Sequence, residues 1–545
     1  VGAGAEAAAG AGAIGAGARA TAGAPAAKPA PAANATGKLL LLDESVLSPM
    51  GLIGGAELQL QLPTKLGRVI EPEYEWEMWE LGGYDAWLQL PNGTVYFYYT
   101  CIANCSSTSD AGCIQRGCLA ASEDGVAFRK PFVHKIAFRG STANNIVWPP
   151  DGSVASYGGS AFVDTNPAAP PSERFKMLLT WGGANSHPPG EYALASPDGI
   201  DWAPMSSEPA HLGSDSQQTG WWDPVLAKYV IYVRNDGFDI SDSDGPRYVA
   251  RCITSNLSNW YEGAPPAKPG CAHSSEVTPC QKCESVFGPD DIDPTQLYTS
   301  GATPLGSTGI TLFFPTAYRI FPETSREAVC ACGNNHCGSE AGNCGVVDVR
   351  FAFSRERGAP GTVRYVPSPE GRDAVIPLGR NTCFNPACGW CHADDNRDLE
   401  RTAWDTSQIY SIPGLFEQKA AAAGSAAPPD GEGPGVLVYY NGSPWTHGQT
   451  FGIDGIGTTW GKNHGIGAVR YRKDGFVAVN APSVFQITEP AGWPGFTTKV
   501  LPMPADCPAV SSSVRSTNCS YELAGQICSG AQPDLLACNT TTDCT

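Results

Sequence analysis

The sequence predicts an all-β protein: a five-bladed β-propeller, followed by a partial β-sandwich or a small cysteine-rich segment. Composition is the first observation, because 63 of the 545 residues are Gly, 46 are Pro and only 16% are charged. This balance is typical of turn-rich β proteins and not of helical bundles. The second observation is a two-strand pattern that occurs five times in order along the chain, which favours a repeated antiparallel unit.

Each copy of the pattern opens with a short apolar segment after a turn signal, as β-strands commonly do. These segments are residues 93–100, 174–181, 228–234, 309–315 and 435–440. A second strand follows each one, and several copies end it in an Asp-Gly turn with a large aromatic residue beyond it. The second segments are residues 121–128, 195–202, 254–260, 352–358 and 469–476. Two packed β-sandwiches are the alternative, and the fivefold recurrence favours the propeller.

Local composition divides the chain into three predicted regions. Residues 1–38 are rich in Ala, Gly and Pro, so they predict a flexible arm. Residues 39–501 carry the propeller, and residues 502–545 form a cysteine-rich C-terminal segment. Because the chain begins with Val and has no charged-then-apolar leader, we interpret it as already processed or as a fragment.

Charge and cysteine content limit the compartment and the partners. The net charge of −19 argues against nucleic acid and against an anionic membrane surface, and no apolar run reaches the roughly 18 residues that a membrane span needs. Twenty cysteines and seven Asn-X-Ser/Thr sequons predict a secreted glycoprotein whose disulfides form mostly within local cysteine clusters. The sequons lie at Asn34, Asn92, Asn104, Asn256, Asn441, Asn518 and Asn539.

Several stretches resemble the five-bladed propellers of the arabinanase, levansucrase and invertase type, most closely secreted proteins related to family 32 and family 43 glycoside hydrolases. They are residues 157–202, 219–234 (TGWWDPVLAKYVIYVR), 297–318, 376–410 (ending WDTSQIY), 435–447 and 467–480 (GAVRYRKDGFVAVN). The resemblance implies an aspartate nucleophile or base in the first blade and a glutamate acid in an E-x-P phrase. The sequence departs from this pattern, since we identify no glutamate acid at the start of a predicted inner strand and no W-M-N-D-P-N phrase occurs.

Carboxylates beside predicted inner strands are the catalytic candidates. Glycoside hydrolysis needs two carboxyl groups at one bond, about 5–5.5 Å apart for retention and about 6.5–9.5 Å apart for inversion. The candidates are Asp85, Asp164, Asp215, Asp223 and Asp405. Asp85 and Asp405 precede apolar strands without a following Pro or Gly, so we predict that they face one cavity between the first and fifth blades. For Asp164 and Asp223, formation of a hairpin turn is the alternative.

Aromatic and polar side chains near the blade edges are the predicted substrate-binding residues, because sugar rings stack on aromatic faces. They are Trp221, Trp222, Tyr298, Tyr318, Tyr410, Trp445 and His447. Glu191 is a candidate for the missing acid, with a solvated loop glutamate as the alternative. Asp239, Asp242 and Asp244 form a candidate calcium site, with a solvated acidic loop as the alternative. The predicted function requires no cofactor.

Two functions remain open at this point. The first is a secreted glycoside hydrolase-like propeller that acts on or binds polysaccharide through a central funnel. The second is a catalytically inactive carbohydrate-binding or structural glycoprotein of an extracellular matrix. The resemblance and the aromatic residues favour the first, and the missing acid favours the second. The expected partners are a polysaccharide or glycan and other matrix proteins.

Overall fold

In the computed structural model the described residues form an all-β propeller with very little helix. The 3₁₀ helices Glu75–Glu77 and Pro171–Glu173 lie between strands. The structure describes residues 39–40, 42–44, 47–53, 57–78, 80–83, 85–103, 114–149, 158–181, 188, 190–212, 214, 217–235, 247–260, 283–289, 295–306, 308–320, 345–366, 374–379, 404–418, 435–444, 447, 464–473, 475–480, 495–498, 523–524 and 526–528.

The strands are short and most follow one another directly along the chain. In chain order they are β1 (Leu39–Leu40), β2 (Leu47–Ile53), β3 (Glu57–Leu60), β4 (Thr64–Ile70), β5 (Glu80–Leu81), β6 (Ala86–Gln89), β7 (Val95–Ala103), β8 (Ile114–Ser122), β9 (Phe128–Arg129), β10 (Ile146–Trp148), β11 (Gly158–Val163), β12 (Phe175–Trp181), β13 (Gly190–Ser196), β14 (Ala203–Pro204), β15 (Thr219–Asp223), β16 (Lys228–Asn235), β17 (Tyr248–Thr254), β18 (Glu284–Phe287), β19 (Gln296–Thr299), β20 (Ala302–Pro304), β21 (Thr311–Phe313), β22 (Thr316–Ile320), β23 (Gly345–Val349), β24 (Ala352–Ser354), β25 (Arg364–Tyr365), β26 (Gln408–Glu417), β27 (Gly435–Ser443), β28 (Gly465–Arg472), β29 (Val477–Asn480), β30 (Gly495–Thr498), β31 (Leu523–Ala524) and β32 (Gln526–Cys528).

Four separate sheets have the form of propeller blades, with neighbouring strands antiparallel. The first joins β6, β7, β8 and β9, with β5 and β10 added at its edges. The second joins β11 to β14, the third β15 to β18, and the fourth β20, β21, β24 and β25. Their first strands, β6, β11, β15 and β20, contact one another in this order. The predicted all-β propeller arrangement is therefore confirmed, with four blades as separate sheets.

The last predicted blade segment belongs to a larger sheet. Seven strands pair there in the order β19, β22, β23, β26, β27, β28 and β4. The count of five blades is not confirmed by this topology. The pairing of β4 with β28 joins the beginning and the end of the predicted propeller. In the predicted C-terminal segment only β31 and β32 are described, and the predicted arm at 1–38 lies outside the described residues.

Both faces of the blade strands are packed, which explains why the sequence shows apolar runs and not strict alternation. In β7, Phe97 and Tyr99 pack with residues of the seven-stranded sheet, whereas Tyr98 packs with the second blade. Successive side chains of a strand point to opposite faces, so one strand contributes to two layers of the core. Adjacent sheets are held together by this continuous apolar packing.

Three of the second segments of the predicted repeat form a related turn, which we call the blade turn (residues 122–127, 196–201 and 354–358) and in which a Ser hydroxyl accepts a hydrogen bond from the N–H of a Gly with positive φ. In the first blade, Ser122 Oγ accepts a hydrogen bond of 2.9 Å from Gly125 N, and Asp124 Oδ1 accepts bonds from Val126 N and Ala127 N. The second blade repeats these contacts with Ser196, Asp198 and Gly199. The S-x-D-G phrase therefore satisfies the backbone groups of the turn.

Each blade turn also accepts a hydrogen bond from the hydroxyl of a tyrosine in the neighbouring sheet. The three hydroxyl-to-carbonyl pairs are Tyr98 with Gly199 at 2.7 Å, Tyr232 with Gly358 at 3.0 Å and Tyr439 with Gly125 at 2.8 Å. These glycines have φ values of +80°, +64° and +77°, in the left-handed region. Only glycine combines this backbone conformation with such a close approach of the tyrosine ring.

Two disulfides lie within the described residues. Cys101–Cys118 joins β7 to β8 inside one predicted cysteine cluster, with Cα atoms 6.0 Å apart. Cys252–Cys283 joins β17 to the start of β18, with Cα atoms 4.7 Å apart. The first bridge lies within one cluster, as predicted, whereas the second joins Cys252 to a separate cluster, at a separation of 31 residues. None of the described helices is long and apolar enough to cross a membrane.

Candidate functional site

The starts of the first strands meet at one end of the propeller, which we call the strand-start end. Gln217 Nε2, just before β15, donates to the backbone oxygen of Asp85, just before β6, at 3.4 Å. Thr219 Oγ1 and Ser300 Oγ lie 3.3 Å apart and join the starts of the third and fourth blades. Polar side chains from several blades therefore converge here, whereas the blade turns lie at the opposite ends of these strands.

Asp85 is fully buried at this end of the first blade. Its Oδ1 accepts a hydrogen bond from Thr100 N at 3.2 Å. Asn441 lies beside it and donates through Nδ2 to the backbone oxygens of Leu81 and Gly465, at 3.3 and 3.4 Å. Gly82, with φ +102°, has no room for a Cβ, which would overlap the Asn441 amide and lie 3.3 Å from Asp85 Oδ2. The glycine thus allows the carboxylate and the amide to approach each other.

Asp405 lies on the other face of β27 from Asp85, so the structure does not bring the two carboxylates together as predicted. Its Oδ2 accepts hydrogen bonds from Lys65 Nζ at 2.6 Å and from Tyr440 OH at 2.9 Å. Tyr440 and Asn441 are consecutive residues of β27, so their side chains point to opposite faces of the sheet. Asp405 lies on the Tyr440 face and Asp85 on the Asn441 face. A lysine also compensates the Asp405 charge.

Asp223 forms part of a hairpin turn, which is the alternative that the sequence left open for it. Its Oδ1 accepts bonds from Val225 N and Leu226 N, and Arg357 Nη1 lies 2.9 Å from Oδ2. It closes β15 at the end that is opposite to Asp85. A catalytic role for Asp223 beside Asp85 is therefore contradicted by its position.

Asp164 has the same kind of position, directly after β11. It accepts hydrogen bonds from Asn166 N at 2.9 Å and from Tyr229 OH at 2.8 Å, and Lys176 Nζ lies 3.4 Å away. These contacts tie the second blade to the third and place Asp164 away from the strand-start end. Asp215, the remaining catalytic candidate, lies outside the described residues.

Glu191 is neither a loop residue nor solvated. It lies in β13, fully buried, and its Oε2 is 2.9 Å from His211 Nδ1. Ser214 N donates to Oε1 at 3.1 Å. Burial raises the pKa of Glu191, and the hydrogen bond from His211 partly offsets this effect. The glutamate holds the segment after β14 in place, because its carboxylate contacts His211 and Ser214 and its backbone pairs with His211.

His211 also belongs to the group of metal-type ligands found among the described residues. Its ring nitrogen lies within 4.8 Å of the sulfur atoms of Cys252 and Cys283. Both cysteines form a disulfide, so their sulfur atoms are not available as thiolate ligands. The calcium candidates Asp239, Asp242 and Asp244 lie outside the described residues.

Four of the predicted substrate-binding residues come together in one aromatic cluster, formed by Tyr298, Tyr318, Tyr410 and His447. His447 Nε2 lies 3.1 Å from Tyr298 OH, and the His447 ring lies 4.7 Å from the ring of Tyr318. The Tyr298 ring is 5.8 Å from Tyr318 and 5.6 Å from Tyr410. Tyr410 and His447 are half-buried, so the cluster keeps a side toward solvent.

Two arginines that the sequence did not indicate lie over this cluster. The Arg234 guanidinium is 4.4 Å from the centre of the Tyr298 ring, and Arg247 is 5.5 Å from it. Arg247 also donates to Gln296 Oε1 at 2.6 Å. The cation–π contacts orient the Tyr298 ring and place positive charge beside it. The only sequence signal was the position of both arginines at strand ends in an acidic chain.

Trp221 and Trp222 do not join the aromatic cluster. Trp221 stacks on Tyr232 at 5.5 Å, and Trp222 meets Tyr229 edge-to-face at 4.9 Å. Both tryptophans pack on the neighbouring strand β16 and fill spaces between blades. Both side chains are half-buried, and their role in sugar binding stays a prediction. Trp445 lies outside the described residues.

The sequons fall into two environments. Asn92 and Asn256 are exposed in turns, where the side chain of each also accepts a backbone N–H bond. Asn441 is only 4% exposed and lies in β27 beside Asp85, so its prediction as a glycosylation site is wrong for the folded chain. Asn34, Asn104, Asn518 and Asn539 lie outside the described residues.

Comparison with known proteins returns structural matches alone. No protein-family model and no curated protein matches the chain. One similar solved structure is titled a glycoside hydrolase, with 10% identity, a TM-score of 0.42, and coverage of 76% of this chain and 94% of that chain. Another is the α-L-arabinanase of Penicillium chrysogenum complexed with arabinobiose, with 10% identity, a TM-score of 0.38, and coverage of 76% and 98%.

A third similar structure comes from work on the GH130 family of mannoside phosphorylases, which contains glycoside hydrolases that target β-1,2 mannosidic linkages in Candida mannan. It has 14% identity, a TM-score of 0.39, and coverage of 76% of this chain and 94% of that chain. At these identities the similarities do not assign an activity to this chain.

Proposed function

We propose that this protein is an extracellular, carbohydrate-active propeller that binds a polysaccharide or oligosaccharide at the strand-start end. The observation that carries the proposal is the aromatic cluster, in which residues of β19, β22 and β26 meet His447. Half-buried Tyr410 and His447 offer ring surface on which a sugar can stack. Tyrosine hydroxyls and the Arg247 guanidinium supply hydrogen-bonding groups of the kind that fix the orientation of sugar hydroxyls.

We infer that β26, β27, β28 and β4 act as a fifth blade. Support comes from β26, which contacts β20 of the fourth blade on one side and β6 of the first blade on the other. A ring closed in this way would surround one central funnel, and Asp85 and the aromatic cluster would border it. This blade pairs with β19, β22 and β23 in one larger sheet, which explains why only four blades are separate sheets.

Secretion and glycosylation are part of the same proposal. The two disulfides are expected in an oxidising compartment, and Asn92 and Asn256 are exposed in turns where a glycan fits. Intact-mass measurement before and after glycosidase treatment tests this: a loss of mass supports secretion, and an unchanged mass argues against it. Calcium binding by Asp239, Asp242 and Asp244 also remains a proposal, for which chelation should lower the melting temperature.

Hydrolysis is the second candidate function, and Asp85 is the observation that favours it. A fully buried carboxylate at the start of the first inner strand is placed to act as base or nucleophile on a sugar in the funnel. The other described catalytic candidates lie elsewhere, so a paired acid would have to come from another segment, such as Asp215 shortly before Gln217. An Asp85→Asn variant with unchanged polysaccharide turnover would reject this function.

The binding proposal is tested by affinity electrophoresis in gels that contain arabinan or mannan. Replacement of Tyr410 by Ala removes ring surface, and we expect a loss of affinity of about tenfold or more, as for buried aromatic contacts in binding sites. Tyr410→Phe is the matched control, because it keeps the ring and removes only the hydroxyl bond to Gln408. Equal migration of wild type and Tyr410→Ala would contradict the proposed site.

A further inference from the structure

A second group of aromatic side chains lies on the first blade, and we call it the outer aromatic surface (Tyr74, Trp76, Phe132, His134 and Phe138). Tyr74 stacks on Trp76 with ring centres 4.7 Å apart and a 16° angle between the rings. Phe132 meets Tyr74 edge-to-face at 5.4 Å, and His134 meets Phe132 at 6.3 Å. None of these residues belongs to the aromatic cluster at the strand-start end, so the two surfaces can be tested separately.

The outer aromatic surface has a buried base and an exposed top. Trp76 and Phe138 are 8% and 5% exposed, and their rings lie 5.7 Å apart. Phe132 is 42% exposed. Among the described residues the other exposed large apolar side chains are the aliphatic Leu62, Val225 and Leu226, so Phe132 is the aromatic member of that set. Phe132, half-buried Tyr74 and exposed His134 are in ring contact, so they form one contiguous surface open to solvent, and contiguous exposed apolar surface is a feature of binding sites.

The backbone that presents these rings is held in an unusual conformation. His134 and Arg139 have φ values of +55° and +49°, which non-glycine residues rarely adopt. Buried Asn144 holds the segment through the bond from its Nδ2 to Ile136 O, 2.8 Å, and through its own carbonyl, which accepts from Val133 N. A strained conformation that is fixed by several bonds indicates a surface that is organised before a ligand binds.

Most charges around the surface lie in ion pairs, and Glu73 shares Lys130 with Glu77, at 4.0 and 2.7 Å. Arg139 contacts Glu75 at 2.8 Å, and Arg68 contacts Glu71 at 3.4 Å. At the other side Lys135 contacts Asp201 at 2.6 Å. A rim of exposed ion pairs attracts neither a polyanion nor a polycation, but it presents many hydrogen-bond donors and acceptors. In a chain with a net charge of −19, this balance favours a neutral polyhydroxylated ligand.

We propose that the outer aromatic surface is a second glycan-binding site, which holds a neutral sugar residue by stacking on Phe132 and Tyr74. The paired charged side chains at its rim hydrogen-bond to the sugar hydroxyls. Such a site would add a contact to a long polysaccharide that also reaches the strand-start end, and it would raise the affinity for long chains by multivalency. The inference goes beyond the proposed function and does not depend on hydrolysis.

The experiment measures the binding of neutral arabinan and mannan to the full chain by affinity electrophoresis and titration calorimetry. We expect Phe132→Ala and Tyr74→Ala each to weaken polysaccharide binding at least severalfold. With short arabino- or manno-oligosaccharides, wild type should show two sites per chain and Phe132→Ala one. Val225→Ala, which shortens another exposed apolar side chain, is the matched control and should bind like wild type.

The outcomes distinguish failure of the second site from failure of the strand-start site. If Phe132→Ala binds like wild type and Tyr410→Ala does not, the second site is overturned and the strand-start site stands. If only Phe132→Ala loses binding, the second site stands and the strand-start site fails. Lack of binding of wild type to both neutral polysaccharides overturns the second site. A dimer that Phe132→Ala dissociates, seen by light scattering, would overturn it in favour of self-association.

Discussion

The two ends of the propeller strands are built on different principles. At the blade turns the same residues return from sheet to sheet: a Ser, an acidic residue, a Gly with positive φ, and a Tyr from the neighbouring sheet. At the strand-start end each element contributes something different: Asp85, Gln217, Tyr298 or Tyr410. These repeated residues close a turn and attach its sheet to the neighbouring sheet. The residues that differ between elements are not needed for turn closure, so they are available to bind a ligand.

The largest expected effect is that of Gly358→Ala at a blade turn. Gly358 has φ +64°, and a Cβ there would overlap the Tyr232 hydroxyl. The backbone cost of about 1–2 kcal/mol and the overpacking cost of about 1–3 kcal/mol together predict a loss of roughly 3 kcal/mol in the free energy of unfolding. Gly361, with φ +73° and nothing within 4 Å of a Cβ, is the matched control.

Denaturant unfolding measures both variants. Gly361→Ala should lose only the backbone part, about 1–2 kcal/mol. Equal losses in the two variants would show that the tyrosine contact at the blade turn contributes nothing. The blade turns would then be stabilised by turn conformation alone.

The next effect is a dependence of stability on pH that arises at the strand-start end. Burial lowers the pKa of His464, directly before β28, to about 3. Its unfolded value is about 6.5, so the unfolded chain binds more protons between these values. The contribution of neutral His464 to the free energy of unfolding is therefore fully present above pH 6.5. It decreases as pH falls, by up to about 1.4 kcal/mol per pH unit. Unfolding of His464→Gln should show a shallower loss between pH 6.5 and 4 than wild type.

An exposed histidine provides the control for this measurement. His134→Gln leaves the buried imidazole in place, so its stability should fall with pH as in wild type. If His464→Gln and wild type lose stability in parallel, another group is responsible for the loss.

A smaller effect is expected for Tyr232→Phe, which removes the hydroxyl between the third and fourth blades. Tyr232 OH donates to Gly358 O at 3.0 Å in a buried environment. Loss of one such bond costs about 0.5–1.5 kcal/mol. Tyr410→Phe, at the strand-start end, loses a half-buried bond to Gln408 and should change stability less. Thermal unfolding of the two variants compares them directly, and the opposite order would contradict a structural role for the blade turns.

The smallest effect is that of Asp124→Asn in the first blade turn. Burial acts to raise the pKa of Asp124, but hydrogen bonds from Val126, Ala127 and Ser122 outweigh it, and the pKa lies below the usual value. A lowered pKa means that the carboxylate stabilises the fold above the unfolded pKa and that this contribution disappears as pH falls through the folded pKa. The variant should therefore be slightly less stable than wild type at pH 7 and equal to it in strong acid. Asp201→Asn, in an exposed ion pair with Lys135, is the control with no expected change.

The elements of the fold were predictable to the extent that they depend on local pattern. The apolar segment at 93–100 and the S-E-D-G phrase after it predict β7 and the first blade turn, because turn residues and buried runs act over a few positions. The fused seven-stranded sheet was not predictable, since β4 pairs with β28 across some 400 residues. The same holds for Asp405. Its position before a strand could be predicted from the sequence, but the face of the sheet on which it lies could not.

The sequence by itself determined the all-β class, the repeated turns and the disulfide within the first cysteine cluster, since each follows from residues that are close along the chain. It also indicated the aromatic residues of the cluster, because ring-bearing side chains are conspicuous at strand ends. Only the tertiary structure decided which of them meet: Tyr298, Tyr318, Tyr410 and His447 converge, whereas Trp221 and Trp222 pack between blades. It also separated Asp85 from Asp405, because consecutive residues of one strand, Tyr440 and Asn441, face opposite sides of a sheet. Such relations depend on register and on the closure of distant strands, which residues near each other in sequence do not specify.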